Sequence, residues 1–275
     1  MTMLSAPWPR VLAALLGLSL LAAAEAPARE EPASAQSLLE RAFANLYGFS
    51  SSQKISLRAR HADGKEFVRT ARMLRRGNDL GLNRMLVKFV GPPDMRGVGV
   101  LLEERPDHSY DAFLYQPIYD MVRRISVAQR RDAFFGTDVF FEDLEAKDPA
   151  QWSARLLRTE TFAGSETSVV ELRPAGFPSG YDRILAWFDH ARPIMVRTEF
   201  YREGERVKVL EIDPQKILEV DGYLIPLSLV FRGSRGSVTT LEISEVELRS
   251  EIPDESFSRS QLEFGSERSG IWKSQ

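Results

Sequence analysis

Asp138, Glu142 and Asp143 come nearest to a catalytic constellation in this sequence. On a helix, the spacing of Asp138 and Glu142 brings two carboxylates to one face, where they would act as general acid and base or as half of a metal site. The plainer use of such residues is favoured here: acidic side chains in a first turn meet the helix dipole and cap free N–H groups. The three histidines, His61, His108 and His190, are far apart, and each falls in or beside a turn. No Gly-x-Ser-x-Gly elbow and no P-loop occurs, and Arg96-Gly97-Val98-Gly99 reads as a turn leading into a strand. The chain has no cysteine, which removes thiol nucleophiles, Cys-type metal sites and disulfides. The expectation is therefore a binding protein, with no enzymatic activity, cofactor or metal.

Binding chemistry is better represented. Three arginine pairs, Arg75-Arg76, Arg123-Arg124 and Arg130-Arg131, offer guanidinium groups suited to a phosphate or carboxylate. Arg123 and Arg124 are the preferred head-group contacts because they border an aromatic mid-chain segment. That segment holds Phe134, Phe135, Phe140, Phe141 and Leu144. Further apolar candidates lie on the strands read below: Phe89, Val100, Leu102, Phe113, Tyr115, Phe188, Leu227, Leu229 and Phe231. The sequence does not say which strand face points inward. A net charge of −3 argues against nucleic acid as a partner, since that footprint is a surplus of basic charge.

Ser37 to Tyr47 places Leu38, Leu39, Ala42, Phe43, Leu46 and Tyr47 on one face at helical spacing. Ser37 is the expected N-cap, Glu40 completes a capping box, and Gly48 stops the helix. From Lys54 the period becomes two. Ile55, Leu57 and Ala59 alternate with charged and polar residues, and Asp63-Gly64 turns the chain. Strands are expected at 66–75, 85–90, 98–104, 110–115, 121–125, 152–160, 167–172, 183–189, 194–201, 206–220, 223–232 and 237–249. Their turns fall every eight to twelve residues or so, which indicates an antiparallel sandwich or barrel. Ala128 to Lys147 breaks the alternation and reads as a loop with a helix from about Thr137 to Ala146, capped by Thr137 or Asp138. A curled sheet with helices on its concave side gives a half-open barrel under a helical lid. Its interior is either filled by side chains or left as an apolar cavity, and the sequence leaves both open.

The amino terminus reads as an export signal. Arg10 precedes an apolar run from Val11 to Ala24, shorter than the roughly 18 to 20 residues of a membrane span. Small residues suit cleavage near Ala24 or Ala26. The expected layout is a signal peptide at 1–24, a disordered leader at 25–36, one domain at 37–258 and a tail at 259–275. A lipid-modified cysteine is excluded by composition.

One stretch carries a resemblance to a known family. Phe113-Leu-Tyr-Gln-Pro, Arg123-Arg124-Ile125-Ser126 and Phe134-Phe-Gly-Thr-Asp-Val-Phe-Phe-Glu-Asp-Leu144 resemble the bacterial outer membrane lipoprotein-sorting group, which is LolA-like. Gly91-Pro92-Pro93 and Ile252-Pro253-Asp254-Glu255-Ser256-Phe257 are similar to its early turn and its ending. The resemblance runs in order from about Leu38 to Phe257. It implies a mainly β, unclosed antiparallel barrel of about 11–12 strands with a helical lid. It further implies a periplasmic carrier of lipid or lipoprotein acyl chains, with an inner-membrane transporter or outer-membrane acceptor as partner. In that reading Asp138 and Glu142 tie the lid to the sheet through Arg123 or Arg124. A ligand-sensing module docked to an inner-membrane partner is the alternative, and an enzyme on the same scaffold a third.

Overall fold

The computed structural model describes residues 34–264. The expected signal peptide, most of the leader and the end of the tail lie outside the described residues. Helix α1 runs Ala35–Tyr47, and its cap is Ser34, whose hydroxyl accepts from the Ser37 amide at 3.1 Å. The helix thus begins two residues before the expected position, and Ser37 is inside it. Leu38, Leu39, Ala42 and Phe43 are buried along one stripe, as the spacing requires. Asn45 fastens the helix by a two-way amide bond to the backbone of Leu224, at 2.9 and 2.8 Å.

Strands β1 (Ser51–Arg60), β2 (Glu66–Arg76), β3 (Arg84–Gly91), β4 (Gly99–Glu104), β5 (Tyr110–Gln116) and β6 (Met121–Arg124) form one antiparallel meander. A second comprises β7 (Trp152–Phe162), β8 (Ser165–Pro174), β9 (Arg183–Asp189), β10 (Met195–Arg202) and β11 (Glu205–Ile212). The short strands β12 (Ile217–Val220) and β13 (Tyr223–Pro226) pair only with each other. Then β14 (Ser228–Gly233) returns beside β11, and β15 (Val238–Leu248) joins the two halves by pairing with β1. The result is a 13-stranded antiparallel sheet that does not close, with β6 and β7 as its free edges. The chain is mainly β, as expected. The sheet holds 13 strands against the expected 11–12, and because 206–220 and 223–232 are each broken the described residues contain 15 strands in all. A turn at Asp213-Pro214 and the step from Pro226 to Ser228 lift β12 and β13 out of the large sheet.

The mid-chain segment corrects the sequence reading. No helix spans Thr137 to Ala146. Single turns of 3-10 helix occur at Ala128–Arg131, Phe134–Gly136, Phe141–Leu144 and Pro149–Gln151. Phe135 and Gly136 have φ of +50° and +76°, which reverses the chain so that Ala133 and Phe140 bridge each other. The burial pattern explains why a helix fails here. Phe134, Val139 and Phe141 all pack on the sheet, whereas residues two apart on a helix point nearly opposite ways.

Part of the sheet is covered on both faces, while the outer side of β1 and β15 is left open. On the concave side, Phe134, Val139 and Phe141 pack with Ile55, Leu57, Val87, Phe89, Val100 and Leu114. α1 packs beside them on Val170, Leu172, Ile184 and Phe188. On the outer side of β2 to β5, the chain end packs Ile252, Phe257 and Leu262 against Leu74, Leu86, Leu101, Phe113 and Tyr115. Leu262 lies in helix α2 (Arg259–Phe264), so the expected tail from 259 begins as a docked helix. Lys88 holds it: its buried ammonium donates to Gly97 O at 2.9 Å and to Leu262 O.

Burial pushes the Lys88 ammonium down to about 8. Between that value and the roughly 10.4 of an exposed lysine, the unfolded chain binds the extra proton, so stability should rise with pH across this window. Thermal midpoints of wild type and Lys88→Met from pH 7 to 10 test this. The wild type should gain on the variant above pH 8, and parallel profiles would contradict the account.

Candidate functional site

Between α1, the crossing segment and the concave face lies a partly open cavity of ≈ 270 Å³. Its walls are almost entirely apolar. α1 gives Phe43 and Leu46, the first meander gives Met73, Met85 and Leu102, and the second gives Leu172, Ile184, Met195, Phe200 and Leu210. Ile225, Leu229, Phe231, Leu241 and Ile243 complete it from β13, β14 and β15, with Val139 and Leu144 above. Alternation in the strands sends every second side chain inward, so one lining is assembled from positions scattered over 200 residues or so.

Three carboxylates tie the roof to the rest of the chain, and a fourth braces it from within. Asp143 accepts from the Phe140 amide (2.6 Å), the Tyr181 hydroxyl (2.7 Å) and the Lys208 ammonium. Lys208 is 1% exposed and stands 3.8 Å from the centre of the Phe140 ring. Burial outweighs the neighbouring carboxylate and holds its ammonium below the ordinary lysine value. Burial and then Asp143 raise the Tyr181 phenol, so it stays protonated. Glu142 accepts from Ser179 Oγ (2.6 Å) and the Gly180 amide (2.7 Å). A Cβ on Gly180 would come within 2.3 Å of that carboxylate, which is why glycine is needed there. Asp138 accepts from the Ser237 and Thr239 hydroxyls, the latter at 2.8 Å, and so fixes the segment to the β14–β15 turn. Glu145, 1% exposed, is gripped through two oxygens by Arg130.

These bonds correct the expected partners. Neither Arg123 nor Arg124 holds Asp138 or Glu142. Both arginines are exposed on the edge strand β6, where Arg124 pairs with Asp111. Strand register separates them from the cavity. Of the proposed wall residues, Leu102, Leu229 and Phe231 line it. Phe89, Val100, Phe134, Phe135 and Phe141 sit in the packed cluster beside it. Phe140 and Phe188 pack under α1, and Leu227 lies in the link between β13 and β14. Phe113 and Tyr115 belong to the outer face. Sequence reasoning did not single out Tyr110, Asp143 as a pin, or Lys208. The signal available was a lone lysine among the apolar residues of β11. Among the described residues, no group of three His, Cys, Asp or Glu side chains is placed to hold a metal.

A family model described as "-like: Uncharacterized protein" matches residues 81–264, well over half of the chain. The chain belongs to that family. No curated protein matches it. Solved structures do, at low identity and nearly full length. A Vibrio parahaemolyticus domain provisionally named as outer membrane lipoprotein-sorting shares 23% identity and a TM-score of 0.75, covering 82% of this chain and 95% of its own. A DUF1329 family protein from Desulfovibrio piger shares 21% and 0.75, covering 83% and 98%. A LolA superfamily protein from Nitrosomonas europaea shares 23% and 0.68, covering 83% and 99%. The fold is therefore that of the outer membrane lipoprotein-sorting and LolA superfamily.

Removing one member of a buried ion pair strands the other. Lys208→Met should lower unfolding free energy by about 3–5 kcal/mol, and pairing it with Asp143→Leu should recover much of that loss. Urea denaturation checks both. A double variant no more stable than the single would show that Asp143 is held mainly by Tyr181 and the Phe140 amide.

Proposed function

We propose that this protein binds a long apolar chain, of the kind found in lipids and lipoproteins, and carries it through the periplasm. The observation that carries the reading is the cavity itself: a nearly all-apolar lining inside a sheet that does not close, under a segment attached by side chains. Each methylene moved from water into such a lining is worth about 0.8 kcal/mol, so ten or so would give useful affinity without any covalent step. The fold shared with a domain named for lipoprotein sorting supports the same reading. Release requires only that the roof move or that an acceptor offer a better site.

Native mass spectrometry of protein from its own envelope, followed by solvent extraction, should find bound lipid or acylated peptide. In parallel, the neutral fluorescent probe N-phenyl-1-naphthylamine should bind the emptied protein. Leu229→Trp, which fills the lining, should weaken that binding about tenfold or more at a fold cost of about 1–3 kcal/mol. A protein that is lipid-free and also ignores the probe would leave a packed interaction domain as the better account.

A further inference from the structure

The cavity has one polar end. Strand register places Gln53 on β1, Arg75 on β2, Asn83 just before β3 and Tyr110 on β5 in three successive cross-strand rows of the inward face, near the carboxyl end of α1. All four line the cavity. Each carries a buried polar atom with no hydrogen-bond partner: Gln53 Oε1, Arg75 Nε, Asn83 Oδ1 and the Tyr110 hydroxyl. Elsewhere in the lining Asp143 and Lys147 are already bonded within the roof, Arg84 has Glu103 and Asp254 as counter-charges, and Trp152 Nε1 is a lone neutral donor against α1.

Arg75 is the decisive member. It is 8% exposed, yet among the described residues it forms no ion pair, whereas the other cations beneath the roof do: Lys208 has Asp143 and Arg130 has Glu145. Asp79, the one carboxylate that acts on it appreciably, is exposed and forms no ion pair with it among the described residues. Burial lowers the guanidinium to about 10, which leaves it charged at neutral pH. Its NH2 group donates to the carbonyls of Leu46 and Phe49 (3.3 Å to the latter), and its plane lies over the Phe49 ring. Satisfying two carbonyls at a helix end uses one nitrogen and neutralises nothing. A buried charge without a counter-charge is costly, and such groups are normally paired.

We infer that this end of the cavity is a subsite for the anionic oxygen-rich head, a carboxylate or a phosphate, of an amphiphile whose chain fills the apolar remainder. The inference rests on the chain-binding reading above and adds the ligand's polarity and orientation. Arg75 Nε supplies a charged donor. The Tyr110 hydroxyl, kept protonated because burial raises it, supplies a second. Turning the Gln53 amide over lets the Ser51 hydroxyl donate to Oε1 and aims two N–H groups at the same point, a choice the two amide ends permit. The head lies against α1 and the chain runs toward Met195 and Leu210.

The test compares ligands of equal chain length as competitors of N-phenyl-1-naphthylamine on the purified protein: dodecanoate, dodecyl phosphate and neutral methyl dodecanoate. At least one anion should bind about tenfold or more tighter than the ester, as charged hydrogen bonds in a dry site require. Preference for dodecanoate alone identifies a single-chain acid, for dodecyl phosphate alone a phosphate head, and for both the shared oxyanion. Arg75→Met should abolish the preference while keeping affinity for the ester. Because Arg75 also bonds the end of α1, Tyr110→Phe is measured beside it and should reduce the preference about threefold or more. Equal binding of all three ligands by the wild type overturns the subsite and leaves the apolar carrier standing. Failure of the neutral probe itself to bind overturns the carrier reading instead.

Discussion

A lysine ammonium sunk among the rings of Phe140, Tyr181, Phe200 and Phe231 determines where the roof of this molecule lies. Such a charge is costly without a carboxylate, and Asp143 is supplied by the crossing segment. The constraint acts in both directions. Lys208 fixes the segment at a set height over the concave face, and the neighbouring turns place Phe134, Val139 and Phe141 on the first meander. Part of the interior is thereby filled and the rest is left as a cavity. Hydrophobic contact alone would favour a roof that collapses onto the sheet. A pinned carboxylate, with Glu142 and Asp138 bound on either side, resists that collapse.

Some of this arrangement is legible in the amino-acid sequence. The stripe of Leu38, Leu39, Ala42 and Phe43 identifies α1, and the alternation around Ile55, Leu57 and Ala59 identifies β1. The Gly-Thr-Asp and Glu-Asp-Leu residues mark the segment that forms the roof. Its conformation is not legible. Clustered phenylalanines and acidic residues suit a helix locally, and only the demand that Val139 and Phe141 face the same surface rules one out.

The wall residues are hidden for a different reason. In β5 the four residues Ala112–Tyr115 are all buried, and β3, β4 and β8 show similar runs. A strand covered on both faces loses the polar alternation that distinguishes inside from outside. Phe113 and Leu114 therefore look equivalent in sequence although they face opposite ways. The arginine pairs pose the same problem. Arg75 and Arg124 are each half of an Arg-Arg step, and only register shows that one points into the cavity while the other stands on a sheet edge beside Asp111.

The order of strands across the sheet has a mechanical consequence. Its two free edges, β6 and β7, are neighbours in sequence, and the roof is the chain that passes between them. The sheet behaves as a split bracelet whose clasp is its own midpoint. Spreading the split ruptures none of the backbone ladders, since no ladder crosses it; what resists is the clasp's side-chain bonds and the packing of Phe134, Val139 and Phe141. Resistance to opening is thus concentrated in the roughly two dozen residues between β6 and β7, and a pull on them would widen the split while every strand keeps its register.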